Sequence, residues 1–65
     1  MGVNFAMDLE LVRDGNGFKF IAHTVFGRDF LANYKDTYEN AEMALQLLSK
    51  ALKQKCRVVI NIPIV

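Results

Sequence analysis

Strand-like alternation at the start of the chain, a helical run after Asp36 and a β-branched tail predict an α+β fold. The predicted architecture is a small antiparallel sheet with one helix packed on one face, in the order β-β-β-α-β. Residues 1–65 fit a single domain. A chain this short buries only about 60% of the surface its unfolded form exposes, so such domains commonly add a disulfide, a metal or a partner subunit. One cysteine excludes an internal disulfide, and one histidine excludes a His-rich metal site. A composition 52% hydrophobic and 23% charged is that of a folded chain, and a net charge of +1 exerts little pull on nucleic acid.

The first strand is read from Phe5, Met7, Leu9 and Leu11, which alternate with Ala6, Asp8, Glu10 and Val12. Asp14-Gly15-Asn16-Gly17 supplies residues that tolerate positive φ and marks a hairpin turn. The second strand is expected over Phe18–Phe26, with Phe18, Phe20, Ala22, Thr24 and Phe26 on one face. A two- or four-residue loop pairs Leu11 with Phe20, Leu9 with Ala22 and Phe5 with Phe26, and sets Asp8 opposite His23 on the other face. Gly27-Arg28-Asp29 reads as a second turn, and Phe30, Ala32 and Tyr34 as a short third strand, its register depending on a bulged or a two-residue loop.

The helix is expected from Asp36 to about Lys55, opened by Asp36 with Glu39 three residues on, as in a capping box. No Gly or Pro interrupts it. Tyr38, Ala41, Leu45, Leu48 and Leu52 fall at helical spacing and form the predicted buried stripe, widened by Ala44 and Ala51. Glu39 and Glu42 near its start and Lys50, Lys53 and Lys55 near its end complement the helix dipole. Residues 56–65 read as a final strand with Cys56, Val58, Ile60, Ile62 and Ile64 on one face, and Pro63 places its end at an edge or leaves it unpaired on that side.

No set of side chains assembles into a catalytic or cofactor site, so neither enzyme activity nor a cofactor is expected. His23 beside Asp8 has the makings of a general base, but a cross-strand ion pair accounts for both residues. Arg57 next to Cys56 would favour a thiolate, but such a cysteine is more often a small apolar residue at a helix-to-strand junction. Gly15-Asn16-Gly17 lacks the Lys-Ser/Thr pair of a phosphate loop and joins two strands. Lys50, Lys53, Lys55 and Arg57 form a basic end that would touch phosphates if the protein bound nucleic acid.

The apolar surplus is more informative. Met43 and Leu47 are expected on the outer flank of the helix, and Val12, Ile21, Val25 and Val59, with Leu31, on the uncovered face of the sheet. These residues are the candidate interface for a second copy or another protein. Residues 1–8 carry no signal-peptide pattern, Ala6 stands where a myristoylation motif wants Ser or Thr, and no apolar run approaches the roughly 18 residues of a membrane span. A cytoplasmic protein without a membrane partner is expected.

Asp14-Gly15-Asn16-Gly17-Phe18, Asp36-Thr37-Tyr38-Glu39-Asn40-Ala41 and Ala44-Leu45 resemble the N-terminal domain of HicB-type antitoxins across residues 8–48. In that family an acidic-Gly hairpin leads through a short third strand to a helix opening with Asp-Thr-x-Glu-x-Ala. The β-β-β-α order is also similar to part of the double-stranded-RNA-binding domain. The first resemblance implies an antitoxin-like regulator. The expected function is a small non-enzymatic interaction module, a homodimer in antitoxin-like or phage-inhibitor style, with nucleic-acid binding through the basic end as the alternative.

Overall fold

The computed structural model describes residues 6–63. Its elements run β1 (Met7–Asp14), β2 (Gly17–Ala22), α1 (Val25–Ala32), β3 (Thr37–Tyr38), α2 (Ala41–Leu52) and β4 (Cys56–Asn61). The α+β class holds, with a four-stranded sheet of order β3-β2-β1-β4. The sheet is mixed: β2 is antiparallel to β1 and β3, whereas β4 is parallel to β1. α2 is therefore the crossover that carries the chain from one edge of the sheet to the other. Two helices, where one was expected, pack on the same face.

The β1–β2 hairpin has the expected register, with Leu11 opposite Phe20 and Leu9 opposite Ala22. Gly15 at φ +59° is the sole residue at positive φ among the described residues, the signature of a II′ turn with glycine first. The Phe5–Phe26 pair is not formed as expected: Phe5 lies outside the described residues, and Phe26 belongs to α1.

The chief correction falls between residues 23 and 38. Gly27-Arg28-Asp29 is the middle of a helix, and the third strand is Thr37–Tyr38 instead of Phe30–Tyr34. Thr24 starts that helix by capping it: its Oγ1 accepts from Gly27 N–H at 3.1 Å and from Asp8 N–H at 3.2 Å. Gly27 and Phe30 are buried and Leu31 half-buried, an i, i+3, i+4 stripe that a period-two reading of Phe30, Ala32 and Tyr34 conceals. Gly27 has no side chain because none fits easily: a Cβ there would meet Leu9 Cδ2 and Thr24 Oγ1 at 3.0 Å.

β3 pairs Tyr38 with Phe18 and Thr37 with Lys19. That pairing holds residues 37–38 extended, so Asp36 does not cap α2. Asn40 does, its Oδ1 accepting from Met43 N–H at 3.0 Å. The Asp-Thr-x-Glu-x-Ala run thus lies on β3 and the approach to α2.

Removing Tyr38 from the helix turns the buried stripe. Ala44, Leu47 and Ala51 are buried and Leu48 is half-buried, while Leu45 and Leu52 are 55% and 57% exposed. The two alanines let α2 lie close to the sheet. The core joins them to Met7, Leu9 and Leu11 of β1, Phe20 of β2, Phe30 of α1 and Cys56 of β4. Phe20 and Tyr38 stack edge-to-face, with centroids 5.9 Å apart. No helix among the described residues is long and apolar enough to cross a membrane.

Candidate interaction surfaces

The sheet face away from the helices carries alternate residues of each strand. Antiparallel and parallel registers together place Ile21, Glu10 and Val59 in one row, and Lys19, Val12 and Asn61 in the next. Glu10 is central: Asn61 Nδ2 donates to its Oε2 at 2.8 Å, and His23 Nε2 meets its Oε1 at 2.8 Å. These hydrogen bonds, Asn61's first, hold the Glu10 carboxyl below its ordinary pKa. Asp8 lies across the backbone from His23, whose N–H donates to Asp8 C=O at 2.8 Å, but the two side chains do not pair. His23 has Glu10, and Asp8 has Arg57, with Arg57 Nη2 2.7 Å from Asp8 Oδ2.

This arrangement leaves Ile21 and Val59 exposed on the open sheet face, as expected, but breaks that face up with charge. Val12 is half-buried, Ile21 and Val59 are moderately exposed, and charged residues separate all three. A face so divided tolerates water. Val25 is the first residue of α1, so it does not belong to the sheet face although it is 68% exposed. Leu31 is half-buried on the core side. Met43 is partly exposed on α2, but Leu47 is 2% exposed and belongs to the core. A helical phase counted from Tyr38 puts Leu47 on the outer flank, but Tyr38 is a strand residue.

The basic end is divided in the same way. Arg57 is tied to Asp8 on the open face, which raises its pKa through the hydrogen bond and the charge of that carboxylate. Lys50 Nζ lies 5.1 Å from the Tyr34 ring centroid, at the end of α1. Lys53 caps α2, and Lys55 is in the turn to β4. Cys56 is buried on the helix face, its Sγ donating to Arg57 C=O at 3.6 Å. Burial first, and the Asp8 charge second, push its thiol pKa up, opposite to the shift a reactive thiolate requires. Among the described residues no three of His, Cys, Asp or Glu gather to hold a metal ion.

Besides Val25 and Phe26, exposed on α1, one apolar surface lies between α2 and the sheet. α2 contributes Ala41, Ala44, Leu45 and Leu48; the sheet contributes Leu11, Phe18, Ile60 and the adjoining Ile62. Together they line a groove of about 210 Å³ with almost no polar surface. Ile60 is 61% exposed, although it shares the face of Cys56 and Val58. Ala41, Leu45, Leu48 and Leu52 form a second stripe on α2, turned roughly 100° from the buried one at about 100° per residue. The spacing that suggests a core stripe instead marks a helix flank, of which Ala41, Leu45 and Leu48 line this groove. Beside it, β4 is an edge strand with its outer side open among the described residues.

Comparison of the chain with protein-family models, curated proteins and solved structures gave no match.

Proposed function

We propose that the protein is a small, non-catalytic protein-interaction module that acts as a homodimer and docks through the α2–β4 side. The carrying observation is the exposure of Leu45, Leu52 and Ile60 around the half-buried Leu48, with no element over Leu45, Leu48 and Ile60 among the described residues. Water on these side chains is unfavourable by roughly 25 cal/mol for each Å² of apolar surface. The open sheet face offers less, since Asp8, Glu10, Lys19, His23 and Arg57 interrupt it. Antitoxin-like regulation, implied by the resemblance of residues 8–48, is a role such a module would fill.

Light scattering coupled to size exclusion tests this reading. At tens of micromolar the expected mass is twice the 7.4 kDa of one chain. Leu45→Asp and Ile60→Lys should each give folded monomers, and Ile21→Glu on the sheet face should remain dimeric. A wild-type monomer throughout the accessible concentration range, or dissociation by Ile21→Glu alone, would refute it.

A further inference from the structure

We infer that the second copy is seated by antiparallel pairing of β4 with its symmetry mate, about a two-fold axis at Val59, giving one eight-stranded sheet. The inference rests on the dimeric reading above and specifies its geometry. The main-chain pattern of β4 selects the register. Lys55 C=O accepts from Met7 N–H at 3.4 Å, on the side of β4 that faces β1. Alternation then aims the N–H and C=O groups of Arg57, Val59 and Asn61 toward β1, and those of Cys56, Val58 and Ile60 toward the open edge. The N–H of Cys56 is already used by Gln54 C=O at 2.7 Å. Within β4, Val58 and Ile60 are left as the outward pair, and Ile62 continues their phase beyond its end. Two edge strands related by a two-fold axis satisfy both residues when Val58 of one copy lies opposite Ile60 of the other. Each such pair exchanges two hydrogen bonds, and the axis falls at Val59.

Side-chain chemistry agrees with this register. On the helix face, Val58 meets Ile60 of the second copy, and Ile60 gains the apolar neighbour it lacks. On the open face, Val59 meets Val59, and Arg57 lies beside the second copy's Asn61 instead of its Arg57. No like charges oppose each other. Antiparallel order also sends the two Lys55 side chains to opposite ends, about 26 Å apart at about 3.3 Å per residue. Between Cys56 and Asn61 the edge has no proline, lysine or bulge to discourage pairing, and its one charge, Arg57, is held by Asp8. Pro63 lies beyond β4 and in the phase of the inward row, so it removes no outward donor. With the axis perpendicular to the sheet, both helical layers fall on one side, and the Leu45–Leu52 stripes approach across the seam. A standard interface covers about 800 Å² per partner, roughly a sixth of the 4843 Å² exposed by one chain. One strand edge and one helix flank supply the lower end of that range, so the dimer should dissociate on dilution.

Engineered disulfide formation distinguishes this geometry from other dimers. Val59 at the axis forms a non-hydrogen-bonded pair with itself, with Cα atoms about 4.5 Å apart, within disulfide range. Val59→Cys in a Cys56→Ser background, oxidised in a glutathione buffer, should yield at least about tenfold more covalent dimer than Ile21→Cys in the same background. Cys56→Ala provides a second background if the serine perturbs folding. Light scattering on the reduced variants is run in parallel. A reduced dimer without this enrichment at position 59 overturns the β4 pairing and leaves the dimeric reading intact. A folded monomer with no enrichment overturns both.

Discussion

Thr24→Val tests the junction on which the fold turns. Thr24 Oγ1 accepts from two backbone donors, Gly27 N–H at the start of α1 and Asp8 N–H at the start of β1. Valine preserves the branched shape and suits the extended φ −130°, ψ 162° of the residue, so the change removes mainly the acceptor. Loss of an N-cap costs about 1 kcal/mol, and leaving the half-buried Asp8 N–H without its partner costs about 1 kcal/mol more. The sum, about 2 kcal/mol, is large for a domain whose total stability is of order 0.1 kcal/mol per residue. Urea unfolding followed by circular dichroism at fixed chain concentration measures it. With a slope near 1 kcal/mol per molar, the midpoint should fall by about 2 M, while Thr24→Ser should lose much less. A shift below about 0.5 M at unchanged slope, or serine as damaging as valine, would refute the bridging role of this hydroxyl.

Two further predictions follow from the structure. Gly17→Ala places a Cβ against the Tyr38 carbonyl and should cost about 1–3 kcal/mol, whereas Gly15→Ala meets open space and costs only the φ +59° penalty of about 1 kcal/mol; thermal melts that rank Gly15→Ala as the worse change would contradict the close approach of β3 to the hairpin. Because the folded state lowers the Glu10 pKa, the associated stability is present above the ordinary 4.5 and is lost as pH falls through the folded value. The stability gap between wild type and Glu10→Gln should accordingly shrink between about pH 6 and pH 3, and a gap independent of pH would show that the Asn61 and His23 hydrogen bonds do not act through the carboxylate.

The hairpin was legible because Leu9, Leu11, Phe20 and Ala22 admit one register that buries all four, and Asp14-Gly15-Asn16-Gly17 admits the turn. α1 was not, because Phe30, Ala32 and Tyr34 satisfy a period of two as well as the i, i+4 contact that Phe30 and Tyr34 make, with centroids 5.0 Å apart. Thr24 followed three residues later by Gly27 does not advertise a cap; the cap depends on Gly27 fitting against Leu9, a tertiary contact. Two adjacent apolar stripes on α2 left the phase of the helix to be decided by Tyr38, and the pairing of Tyr38 with Phe18 takes it out of the helix. The same ambiguity hid the proposed interaction surface: the spacing puts Leu45 and Leu52 in the core and Leu47 on the surface, the reverse of their burial. The parallel placement of β4, which makes it an edge, depends on the crossover of α2 and has no local sequence signal.

Backbone amide exchange reads the outer edge of β4, where the proposed dimer is joined, residue by residue. In the dimer the Val58 and Ile60 N–H groups are hydrogen-bonded across the seam, and in the monomer they face solvent. Exchange followed by NMR at several chain concentrations should show both amides protected when dimer predominates. Their protection should fall on dilution, and in Ile60→Lys the Val58 amide should exchange rapidly, while the Leu9 amide on the central strand stays protected throughout. Rapid, concentration-independent exchange of Val58 and Ile60 in a sample shown to be dimeric would contradict the pairing of β4 with a second copy.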